Sequence, residues 1–140
     1  PENAIELFHG YTYSGHPVGC AAGLVALAET KRLAVDENAA ARGVELGKTL
    51  EALKAKHQLV GDVRYQGLMA ALELGSERTA KKPADKKTLA VVAEAAYQAG
   101  VMLRVSGNTI ILSPPLVISA ADVAKIGEAL DAGLAAAAAA

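Results

Sequence analysis

The stretch VMLRVSGNTIIL, residues 101–112, decides how the rest of the chain is read. Val101, Leu103 and Val105 alternate with Met102 and Arg104, Gly107-Asn108 is a turn pair, and Thr109 to Leu112 is apolar after a β-branched start. Alternation with a period of two, interrupted by a Gly-Asn turn, predicts two short strands joined as a hairpin. Successive side chains in a strand point to opposite faces, so Arg104 is expected away from the face that carries Val101, Leu103 and Val105.

On the upstream side, Leu89, Val92, Ala93 and Ala96 recur at helical spacing and stop at Gly100, which predicts a helix after the polar loop GSERTAKKPADKK, residues 75–87. VGDVRYQGLMAALEL, residues 60–74, alternates at Leu68, Ala70, Leu72 and Leu74. It predicts a strand or hairpin, with a turn at Gly61-Asp62 and a bend or close backbone contact at Gly67. Val35 to Lys56 places Val35, Ala39, Leu46, Leu50 and Leu53 on one stripe, with Glu45, Lys48, Glu51 and Lys54 on the remaining surface, an amphipathic helix. Downstream, SPPLVIS ends the sheet and Ser119 is placed to cap a last helix. Asp122 falls in its first turn, and Val123, Ile126, Leu130 and Leu134 form its buried stripe.

GYTYSGHPVGCAAGLVALAE, residues 10–29, follows an arm, Pro1 to Tyr13, that shows no sustained period. Ser14 is placed to start a helix and Pro17 suits its first turn, where a missing N–H has no partner to lose. Val18, Ala21, Ala22, Val25 and Ala28 follow at helical spacing while Leu24 and Leu27 make the other side apolar. Such a helix is expected to be buried over much of its circumference by neighbours from elsewhere. The order of arm, two helices, strands, helix, strands and helix gives an α+β fold, a small sheet covered by helices. The boundary falls near Ala34: 1–34 as arm and connecting helix, 35–140 as a domain with its own core.

A net charge of -1 with scattered charged residues supplies no basic field for nucleic acid, and the most apolar window is shorter than the roughly 20 residues that span a bilayer. Cys20, the only cysteine, allows no intrachain disulfide and fits a cytoplasmic location. The start at Pro1, without a methionine, suggests a fragment.

Three features carry chemistry. Thr12 has a hydroxyl donor, backbone N–H groups near Tyr11 and Thr12 precede a helix N-terminus, and such places attract phosphate. The commoner use of Thr12, Ser14 and Gly15 is a turn and helix cap. Arg104, inside a short apolar strand, has five donors to satisfy and forks onto a carboxylate, either of a substrate or of a structural salt bridge. Arg64 beside Asp62 reads as structural. His9, His16 and His57 do not form a metal constellation, and Cys20 in its alanine-rich setting reads as a small buried thiol.

HGYTYSGHPVGCAAGLVALAE, DVRYQGLMAALEL and GVMLRVSGNTIILSPPLVIS, in this order, resemble segments of the class III aminotransferases, and TYSGHP is similar to their branch that passes amino groups from ω-amino acids or amines to pyruvate. Tyr65-Gln66 departs from the family's pattern, where a glycine more often follows the arginine. The resemblance implies a pyridoxal-phosphate enzyme of aspartate-aminotransferase-like fold, and assigns this chain to its small C-terminal domain with a long connecting helix before it. It further implies that Thr12 and the backbone of Tyr11 bind the cofactor phosphate of the neighbouring subunit, in a homodimer with a shared active site. Arg104 would bind the carboxylate of the 2-oxo acid and swing aside for amino donors without one. The Schiff-base lysine is expected upstream of Pro1, so this chain holds no catalytic residue of its own and would be inactive alone. Sister activities on the same scaffold, decarboxylation and amino-group migration, are the alternative, as is a truncated domain that only folds and associates.

Overall fold

The computed structural model describes residues 10–77 and 79–139. Their contacts divide into two units, Pro1–Ala34 and Val35–Ala140. The first nine residues of the arm, and His9 with them, lie outside the described residues.

In the first unit, a turn over Tyr11 to Ser14 leads into α1, Pro17–Arg32. Pro17 stands in the first turn, as its fixed φ favours, but the N-cap is His16 and no side chain caps the helix. Ser14 lies in the turn instead, where its backbone N–H donates to Tyr11 O at 2.9 Å and its hydroxyl oxygen accepts from the Tyr11 N–H at 2.9 Å. Gly15, at φ +75°, follows it, so the chain reverses before the helix rather than running into it. No residue of α1 is buried among the described residues: Leu24 is 70% and Leu27 69% exposed, so its apolar faces stand open to the neighbours from elsewhere that the sequence calls for. Cys20 is exposed too, where a buried thiol was expected.

The second unit begins with α2, Val35–Lys56, and continues β1 Val60–Gln66, β2 Met69–Glu77, β3 Lys82–Pro83, α3 Lys86–Gln98, β4 Arg104–Ser106, β5 Thr109–Leu112 and α4 Ala120–Ala138. The antiparallel sheet runs β1-β2-β5-β4, with β3 on β2. Alternation sends Val63, Ala70, Leu72, Leu74, Ile110 and Leu112 to one face. There they meet Leu46, Leu50 and Leu53 of α2, Leu89 and Val92 of α3, and Val123, Ile126, Leu130 and Leu134 of α4 in a single core. The stripes expected for α2 and α4 are the ones buried, apart from Ala39, which is half-buried.

One turn differs from expectation, and the bend and close backbone contact expected at Gly67 are both present. Gly61-Asp62 lies within β1, where the register shifts between Val60 and Asp62, a bulge rather than a turn. The reversal is at Gly67-Leu68, and Gly67 takes φ +55°, a conformation that costs other residues about 1–2 kcal/mol. The Gly67 backbone also lies so close to α2 that only a glycine, Gly43, fits opposite it.

Candidate functional site

Arg104 opens β4 rather than sitting inside a strand, and it is exposed. The register pairs it with Ile111, Ile111 with Ala71, and Ala71 with Arg64. These four side chains form one row across the sheet on the face opposite the helices. An arginine stands at each end of the row, and their surroundings differ. Arg64 Nη1 donates to Asp62 Oδ2 at 2.8 Å and to Glu73 Oε2 at 3.1 Å. Glu73 first and Asp62 second raise the guanidinium above its already high ordinary value. Burial works to raise the Asp62 carboxyl, but hydrogen bonds from Lys54 and Arg64 outweigh it and hold the group below the usual carboxylate range. That end is a closed ion network, and Arg64 is structural, as its sequence neighbour Asp62 suggested.

The other end is open. Arg32 pairs with Glu29, Arg42 with Glu45 and Arg64 with Asp62, so among the described residues Arg104 alone of the arginines has no carboxylate partner. It borders a groove of about 830 Å³ that Met102, Leu103, Ser113, Pro114 and Lys125 also line. A guanidinium that is exposed, unpaired and next to apolar walls can take a carboxylate in a bidentate fork.

Thr12 is exposed, and neither its hydroxyl nor its N–H has a partner among the described residues. The Tyr11 N–H, by contrast, donates to the Ser14 hydroxyl oxygen. The turn therefore presents hydroxyl and amide donors from Thr12, the donor types that hold a phosphate, before the positive end of α1. Thr12 and Arg104 belong to different units, and each stands on its own geometry.

Sequence reasoning overlooked Asn38 and the His57 pair. Asn38 Nδ2 donates to Leu116 O at 2.7 Å and to Ile118 O at 3.0 Å, on the loop that walls the groove. Its signal was an asparagine, which competes with the helix backbone, inside the second turn of a long helix. His57 is buried, with Nε2 2.6 Å from Asp131 Oδ1. Among the described residues no cluster of His, Cys, Asp and Glu could hold a metal ion, and no helix is long and apolar enough to cross a membrane.

Comparison with known proteins places this architecture. The family model for class-III aminotransferases matches residues 1–134. Hypotaurine/taurine–pyruvate aminotransferase of Paracoccus denitrificans (strain Pd 1222) is 36% identical over 94% of this chain and 30% of its own length. An omega-aminotransferase of Caulobacter vibrioides is 41% identical over 90% of this chain and 28% of its own. Among solved structures, an amine transaminase from an uncultivated Pseudomonas species, in a pyridoxal-phosphate-bound form, is similar with a TM-score of 0.83 at 40% identity, over 92% of this chain and 30% of that one. The chain belongs to the class-III aminotransferase family. It spans about 30% of the length of the relatives it matches.

Proposed function

We propose that the polypeptide carrying this chain is a cytoplasmic, homodimeric transaminase that uses pyridoxal 5'-phosphate to move an amino group from an ω-amino acid or amine to pyruvate or a similar 2-oxo acid. The observation that carries this reading is Arg104, exposed and without a carboxylate partner at the open end of the sheet row, while the other described arginines are paired. In it Arg104 forks onto the carboxylate of the 2-oxo acid and turns away when the amino donor has none. The names of the relatives support it, since those cited are an aminotransferase with pyruvate as partner, an omega-aminotransferase and an amine transaminase.

The residues present fit the cofactor's phosphate. Thr12 offers an unpartnered hydroxyl and N–H, and Tyr11 can add its own N–H by releasing Ser14. In this reading the phosphate belongs to the other subunit's cofactor, so each active site draws on both copies. When bound, the cofactor supplies the electron sink that amino-group transfer needs. This chain's residues contribute binding: Thr12 anchors the phosphate and Arg104 orients the acceptor.

The test is steady-state kinetics of the full-length polypeptide with an amine that lacks a carboxylate as donor and pyruvate as acceptor. Arg104→Ala should raise the KM for pyruvate by about 100-fold, as loss of a charge-assisted fork implies, and leave the amine KM within about twofold. Equal losses for both substrates would remove Arg104 from this role. Thr12→Ala should release the cofactor on dialysis several times faster than the unsubstituted protein, read from the loss of cofactor absorbance.

A further inference from the structure

The loop from Ser113 to Ile118 leaves the end of β5 and walls the Arg104 groove through Ser113, Pro114, Pro115, Val117 and Ile118. Its start is fixed by the ladder, because Ile111 pairs with Arg104. Its end is fixed by the Ser119–Asp122 capping box of α4. Between these anchors the backbone has little means of holding itself. Pro114 and Pro115 have no N–H to donate, and the loop's own bond is Ile118 N–H to Pro115 O at 3.0 Å.

The missing ties come from α2. Asn38 Nδ2 spends its two N–H groups on the carbonyls of Leu116, 2.7 Å away, and Ile118, 3.0 Å away, across 78 and 80 residues of sequence. The amide orientation follows from chemistry, since a reversed amide would set its oxygen against two carbonyl oxygens. One side chain on α2 therefore fixes the wall against which Arg104 works.

We propose that Asn38 is a positioning residue for the 2-oxo acid: it holds the Pro114–Ile118 loop at the distance from Arg104 that the acceptor's carboxylate requires. This rests on the reading of Arg104 as the carboxylate site. Asn38 touches no substrate and acts through the loop, so its loss should weaken acceptor binding while leaving the amine step in place.

The experiment uses the full-length polypeptide with Asn38→Asp, Asn38→Gln, Arg104→Ala and the Asn38→Asp/Arg104→Ala double variant, an amine without a carboxylate, and pyruvate. Asn38→Asp keeps the side chain's size but sets carboxylate oxygens against the Leu116 and Ile118 carbonyls. It should raise the pyruvate KM about tenfold, as loss of two ordinary hydrogen bonds implies, with amine KM and kcat within about twofold. Asn38→Gln, which keeps the donor on a longer stem, should recover part of the effect. The double variant should have a pyruvate KM close to that of Arg104→Ala alone, because the loop matters only through Arg104. Amide hydrogen exchange at Leu116, Val117 and Ile118 should accelerate in Asn38→Asp with exchange in β2 unchanged, which separates a freed loop from general unfolding. Equal changes in both KM values, or no kinetic change beside a freed loop, would overturn the proposal and leave Asn38 a structural tie. Should Asn38→Asp not fold, Asn38→Gln carries the test, since an unselective effect there overturns the proposal equally. A selective effect of Asn38→Asp with none of Arg104→Ala would instead overturn the reading of Arg104 and keep the loop as the acceptor's wall.

Discussion

Gly43 and Gly67 show how much the second unit depends on an absent atom. A Cβ on Gly43 would lie 2.5 Å from the carbonyl carbon of Gly67 and 2.6 Å from its Cα, and both are backbone atoms of a turn that cannot yield like a side chain tip. Gly43→Ala gains up to about 1 kcal/mol of helix propensity. It must also push α2 off the hairpin, and overpacking of this kind typically costs about 1–3 kcal/mol. The net expectation is a loss of about 1–2 kcal/mol, measured as a lower urea midpoint with an unchanged slope. The sequence marks Gly67 as a place for a bend or a close backbone contact but does not name Gly43 as its partner, which lies 24 positions away along the chain. Contacts within a few residues were legible. Ser119 and Asp122 close a capping box in which Ser119 first lowers the Asp122 carboxyl below its ordinary range, and Arg64 pairs with Asp62 two residues away.

Elements were legible where one face meets a core. The stripe of α2 gave its bounds, Val35–Lys56, since apolar spacing and burial coincide over its whole length. The edges of the sheet were not. β3 is two residues, Lys82–Pro83, held on β2 by pairing with Gly75 and Glu77, and nothing in a polar loop announces such pairing. α3 begins at Lys86 because the Asp85 side chain accepts from the Thr88 N–H, a cap the apolar spacing could not register. Val101, Leu103 and Val105 alternate as a strand should, yet β4 begins only at Arg104. Continuing its register would set Val101 against Pro114, and a proline cannot donate to a ladder. Arg104 therefore stands at a strand end beside the proline loop; the face it occupies was legible from the alternation, and its place at the strand end was not.

For the molecule as a whole, the near-neutral charge balance sets the response to acid. At neutral pH 14 lysines and arginines stand against 15 aspartates and glutamates, so long-range repulsion is small. Asp131 of α4 joins the end of α2 to the core: its Oδ2 accepts from Lys56 Nζ at 2.7 Å and its Oδ1 lies 2.6 Å from His57 Nε2. The hydrogen bond from Lys56 first, and that from His57 second, hold its carboxyl below the usual carboxylate range. A carboxyl lowered in the folded state favours folding above its unfolded value of about 4, and that contribution is lost as pH falls through the folded value. Asp62, Asp85 and Asp122 are lowered as well, so protonation removes several ties in the same window. Unfolding by urea should therefore become easier below about pH 4 and change little between pH 5 and 7 on account of these groups. Asp131→Asn isolates one contribution. Its side chain is 35% exposed, so water screens the pair and the loss at pH 7 should be about 1 kcal/mol. That loss should be smaller at pH 3 than at pH 7, since the stabilisation from the native carboxyl fades as pH falls below its unfolded value and through its lower folded one. A deficit of the same size at both pH values would show that Asp131 acts through packing rather than charge.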